Sequence, residues 1–157
     1  LTGLFMKLFI TLLTSMASTL GYANCTITSF YDYNLQKVVN ENNGWAIEKE
    51  KFNKICNRLK EANLAVHFSQ ISMISQSASV ASTAIKFYPL EIQKKYGEMV
   101  LTSTGYGSID TNTVRTTEVL DSVKYDSANN ALIRIVSNDE TWKEILDQVA
   151  FIRKHIK

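Results

Sequence analysis

The first hydrophobic stretch of the chain is short. Leu8-Phe9-Ile10-Thr11-Leu12-Leu13 follows a lone positive charge at Lys7, and small and polar residues continue to Leu20. Gly21-Tyr22-Ala23 then offers small residues at the first and third places before a cut. A charge, an apolar core and a small-residue exit make the pattern of a secretory signal peptide. The run falls well short of the roughly 20 apolar residues a membrane span needs. Thr11, Thr14, Ser15, Ser18 and Thr19 dilute it further. The expected cut follows Ala23, with Met6 as the start, residues 1–5 upstream of it, and residues 24–157 as one globular domain. Asn24 before Cys25 does not fit the small residues of a lipid-attachment site.

Beyond the leader, the period of the apolar positions is first helical. Tyr31, Leu35, Val38 and Val39 predict a short helix to about Asn42, and Asn42-Asn43-Gly44 breaks it. Phe52, Ile55, Cys56 and Leu59 share one face of a second helix, expected from about Trp45 to Ala62 and ended by Asn63. The period then drops to two. Leu64, Val66 and Phe68 alternate with Ala65, His67 and Ser69, but Ile71 and Met73 take the other parity. That switch predicts a bulge near Ser69-Gln70. Ser75-Gln76-Ser77 reads as a turn, Ser79–Tyr88 as a second strand ended by Pro89, and Glu98–Thr104 as a third. A helix is expected from about Thr116 to Val136, although residues 131–136 suit a strand as well. Ser137 to Glu140 has capping-box spacing. The last helix, from about Asp139 to Ile156, carries Trp142, Ile145, Leu146, Val149 and Ile152 as its buried stripe. The predicted class is α+β in one domain. A three-stranded antiparallel sheet has helices before and after it, in the order α-α-β-β-β-α-α.

Composition narrows the function more than it identifies it. There are 17 basic and 15 acidic residues, and Lys7 is lost with the leader, so the mature chain is near neutral. Electrostatic capture of nucleic acid or of an acidic membrane surface has no support. An α-β-β-β-α core order also describes the double-stranded RNA-binding domain. That domain needs lysines aimed at phosphates, and here the helix after the strands opens on Glu118 and Asp121.

Two cysteines remain after cleavage, Cys25 and Cys56, and export to an oxidising compartment predicts that they pair. The loop they close is one for which chain entropy gives roughly 3–4 kcal/mol. They supply no metal tetrad, and no cofactor motif is present: Gly105-Tyr106-Gly107 lacks the third glycine of a dinucleotide loop. No serine sits in a nucleophile elbow. His67 is the only histidine in the body of the fold, and its parity places it on the sheet face away from the core. The remaining candidates are aromatic. Tyr88, Tyr96 and Tyr106 fall in or beside loops around the strands, and together they would suit a binding surface. The sequence therefore favours a small exported binding module: an inhibitor, an immunity protein or an accessory subunit acting on a protein partner in the cell envelope. A small hydrolase built on His67 and a structural envelope protein are the alternatives.

Overall fold

The computed structural model describes residue 27, residues 29–30 and residues 33–156. The elements are β1 (Ser29–Phe30), α1 (Tyr33–Glu41), α2 (Lys49–Glu61), β2 (Leu64–Ile74), β3 (Ser79–Pro89), α3 (Leu90–Tyr96), β4 (Tyr106–Asn112), α4 (Thr117–Ser137) and α5 (Asp139–His155). The three long strands pair antiparallel in chain order, and β1 adds a short parallel strand outside β2 at Val66 and His67. This is the expected α+β fold. Its antiparallel sheet is three-stranded, and β1 adds a short parallel fourth strand at the edge.

One face of the sheet is the core face. Val66 and Phe68 of β2 lie opposite Phe87 and Ile85 of β3. All four are buried against Leu35 of α1, Ile55 and Leu59 of α2, Leu132 and Ile135 of α4, and Ile145 and Val149 of α5. Aromatic rings close the margins. Trp45 stacks on Phe68 at 5.2 Å, and Trp142 meets Phe87 edge-on at 6.1 Å. The second helix starts at Lys49 rather than near Trp45, which leaves the indole in the connection, where it lies over Phe68. Asn63 ends that helix region with φ +52, as its position suggested.

Four expectations need correction. The bulge at Ser69-Gln70 is absent: the β2–β3 register runs unbroken from Leu64 opposite Pro89 to Ile74 opposite Ser79. The third strand is Tyr106–Asn112, not Glu98–Thr104. The 98–104 segment lies beside β3 through Thr102, whose N–H donates to the Phe87 carbonyl at 2.8 Å. Its hydroxyl oxygen accepts from the Phe87 N–H at 3.1 Å. A side-chain oxygen takes the place of a ladder carbonyl, so no ladder propagates. Before it comes the unexpected α3, opened by Pro89 and stopped by Gly97 in the left-handed region at φ +76. Third, α5 is capped by Asn138 rather than by a Ser137–Glu140 box. The Asn138 side-chain oxygen accepts from the N–H groups of Glu140 and Thr141. Fourth, Leu146 is exposed, while Ile145, Val149 and Ile152 are buried.

The doubtful centre of α4 is resolved as continuous helix, and residues 131–136 belong to it. Tyr125 is buried there, and its hydroxyl donates to the Gly44 carbonyl at 2.5 Å, tying the helix to the α1–α2 turn. Cys56 is buried on α2 and is not a free thiol. Cys25, its expected partner, and the whole leader lie outside the described residues.

A charged clamp joins α5 to the end of α2 and the start of α3. The Arg153 guanidinium of α5 donates to the Glu91 carboxylate at 2.5 Å and to the Ala62 carbonyl at 2.8 Å, while Asn63 donates to Glu91 at 2.6 Å. Burial alone would raise the Glu91 pKa, but the hydrogen bonds and charge of Arg153, aided by Asn63, bring it below the ordinary value. A depressed carboxylate stabilises the fold above its unfolded pKa and stops doing so as pH falls through the lower folded value. Arg153→Leu should therefore cost about 0.5–1 kcal/mol at pH 7, since the pair is partly exposed. Urea titrations should show the gap between variant and parent closing at acid pH. An equal gap at pH 7 and pH 3 would contradict the clamp.

Candidate functional site

Halfway along the sheet the usual sides are exchanged. Beyond Phe68 the core face turns polar. Gln70 lies opposite Thr83, which lies opposite Ser108, and one row further Ala81 lies opposite Asp110. These residues meet a polar stripe on α4. Gln70 donates through Nε2 to Thr83 Oγ1 at 2.7 Å and to the Lys124 carbonyl at 2.9 Å. Ser127 Oγ donates to the same carbonyl at 2.9 Å, so the 2.5 Å contact between Thr83 Oγ1 and Ser127 Oγ has the Thr83 hydroxyl as donor. Asn130 donates to both Asp110 oxygens, and Ser108 donates to one of them. Asp126, beside this layer, has its pKa raised by burial and then by the Asp110 charge. Thr83 and Ser127 are fully buried. Hydrogen bonds replace apolar contact between α4 and this half of the sheet, with only the Gln70 Oε1 of the layer just described left buried without a partner.

The apolar residues of the same strands stand on the other face. Ile71, Ser82 and Ile109 form one row across β2, β3 and β4, and Met73, Val80 and Thr111 form the next. Ile71 is 71% exposed, Ile109 70% and Met73 56%. The adjoining row, Ser69, Ala84 and Gly107, has small side chains. Gly107 is required there, because a Cβ would sit 2.6 Å from the Thr83 carbonyl oxygen. The row after it pairs His67 with Lys86. No carboxylate projects from β2, β3 or β4 on this face. The result is an open apolar surface of Ile71, Met73, Val80 and Ile109, with cationic Lys86 two rows away. Three large apolar side chains, mostly exposed and adjacent in register, are unlike the single scattered hydrophobes of an ordinary surface.

The three candidate tyrosines are not brought together. Tyr88 is on the open-face parity but is buried opposite Ala65, and that burial raises its pKa. Tyr106 is opposite Ile85 on the core face. Tyr96 ends α3, half-exposed, with the Lys95 ammonium 4.8 Å from its ring centroid. His67 points away from the core as its parity required and is half-buried. Its pKa is lowered, first by burial and then by the Lys86 charge. Among the described residues, no group of three or more His, Cys, Asp or Glu could hold a metal ion. No described helix is long and apolar enough to cross a membrane.

The signal for this surface was in the sequence, as the parity switch between Phe68 and Ile71. With every apolar residue assumed to face one core, a bulge is the only way to reconcile the two halves of β2. The strand instead stays regular and sends its second apolar set outward. No protein-family model, curated protein or solved structure matches this chain.

Proposed function

We propose that this protein is a small exported binding module that docks a protein partner in the cell envelope on the open face of its sheet. The observation that carries this reading is the exchange of sides beyond Phe68. Ile71, Met73 and Ile109 are exposed, while the same strands hold α4 through buried polar groups. Leaving these residues in water forgoes roughly 1.5–3 kcal/mol of burial for each large apolar side chain, and a partner would recover it. The charge of the face defines that partner. Lys86 lies on it and the strands supply no carboxylate, so the fit is to an apolar patch with an acidic rim. A second copy would bring cationic faces together with no acid from the strands to receive them. A hydrolase based on His67 would set its base beside an ammonium group that weakens it.

Export is supported by the Lys7, apolar-core and Gly21-Tyr22-Ala23 pattern. Ile27, two residues after Cys25, is buried in the same core cluster as Cys56, which supports a Cys25–Cys56 disulfide. The mature protein should begin at Asn24. Its intact mass should rise by two hydrogens on reduction. A full-length cytoplasmic protein with reduced cysteines would remove both proposals.

The docking reading is tested with an envelope extract passed over the immobilised parent and over an Ile71→Ser, Ile109→Ser double variant of unchanged circular dichroism. A discrete partner should be retained by the parent and lost with the variant. Equal retention by the two would exclude this face.

A further inference from the structure

The 98–104 segment that fails to become a strand forms one wall of a groove. It is fastened to α5 through Gln148. The Gln148 side-chain oxygen accepts from Ser103 Oγ and from the Thr104 N–H, each at 3.0 Å, and its Nε2 donates to Thr104 Oγ1 at 3.0 Å and to Glu144 at 3.3 Å. Between segment and helix lies an open groove of about 640 Å³, with Leu101, Phe151 and Ile152 as apolar walls and Glu144 and Asp147 as its only ionisable lining groups among the described residues. Grooves of this size accept small molecules or a few residues of extended chain.

Its electrostatics are one-sided. Glu144 and Asp147 are one helical turn apart on α5. The Asp147 carboxylate makes no hydrogen bond or ion pair with any described residue. The Tyr106 hydroxyl is buried near Glu144 without a hydrogen bond of ordinary geometry. Its pKa is pushed up to about 12, by burial first and then by that carboxylate. The phenol thus stays a neutral neighbour and neutralises none of the negative charge. Phe151 is 63% exposed, with one ring face stacked on His155 at 4.0 Å.

We propose that this groove binds a basic segment of a partner protein, with an arginine or lysine head between Glu144 and Asp147 and its aliphatic stem along Leu101 and Phe151. Carboxylates paired one turn apart suit a guanidinium, and an apolar wall suits the methylene stem that such side chains lay along protein surfaces. The site shares no residue with the open sheet face, so its failure and the failure of that docking reading are separate results.

The test is an amide NMR titration of the mature protein with the peptide acetyl-Gly-Arg-Leu-Arg-Gly-amide and with its citrulline counterpart, which keeps shape and loses charge. The arginine peptide should give saturable shifts at Leu101, Glu144, Asp147 and Phe151. Citrulline, or Asp147→Asn in the protein, should weaken binding about tenfold, the worth of one charge-assisted contact. The Asp147 carboxylate has no hydrogen bond or ion pair to lose, so this variant should keep the fold, and Glu144→Gln offers a second, isosteric check. Equal binding of the citrulline peptide, equal binding by Asp147→Asn, shifts confined to another surface, or no saturable shift would each overturn the proposal.

Discussion

Ile145→Ala will destabilise the protein by about 2–5 kcal/mol, whereas Leu146→Ala, one residue away, will cost well under about 2 kcal/mol. Both residues sit on the apolar stripe of α5, and helical spacing alone ranks them equally. Packing separates them. Ile145 is fully buried between the sheet and α4, while Leu146 is 36% exposed. Truncating Ile145 leaves a cavity lined by core residues; truncating Leu146 removes contact at a surface that water already reaches. Chemical denaturation of both variants checks the contrast directly. Equal losses would mean that α5 is rotated about its axis relative to the sheet. Removing residues 139–157 altogether would strip Ile145, Val149 and Ile152 from the core, and the shortened chain should not fold cooperatively.

Ile71→Ser with Ile109→Ser will lower partner affinity by at least about thirtyfold, the equivalent of roughly 2 kcal/mol for a docking hot spot. The same double variant should melt within a few degrees of the parent, because neither side chain contributes to the core cluster. It should also be more soluble, since an exposed apolar face on open strands invites association. The contrasting change is Thr83→Val on the opposite face. It would break the chain from Gln70 through Thr83 to Ser127 and leave buried polar groups unpaired, at about 1–3 kcal/mol of stability, without touching the open surface. Stability and binding should thus separate by face. If Ile71→Ser and Ile109→Ser destabilise the fold as a core substitution does, the face is internal packing for part of this chain and not a docking surface.

Except for the seven-residue α3, the helices were legible in the sequence because their stripes are long and their ends are marked. Asp139 and Glu140 open α5 and Arg153, Lys154 and His155 close it, and the Leu35, Val38 and Val39 set of α1 is buried as expected. The strands were legible only where one parity is apolar and the other polar. β4 was missed because Tyr106–Asn112 carries a polar inner parity, Ser108 and Asp110, whose partners Thr83 and Asn130 are remote in sequence. The 98–104 segment has the better strand composition, yet a single threonine hydroxyl ends its pairing with β3. The open face was misread for a related reason. A parity switch inside one strand admits either a bulge or an exchange of faces, and only the polar stripe of α4, Lys124, Ser127 and Asn130, selects the second. The candidate tyrosines were grouped by their nearness to loops, but Tyr88 and Tyr106 lie on opposite sides of the sheet.

Site-specific photo-cross-linking in intact cells bears most directly on the central claim. A photoreactive residue would be placed at Ile71, at Ile109 and, as a control, at the exposed Lys37 of α1. One discrete adduct to a different protein is expected at positions 71 and 109 and none at 37. An adduct of twice the protein's own mass would make the face a self-association surface. No adduct at 71 or 109, or the same products at all three positions, would contradict the docking surface outright.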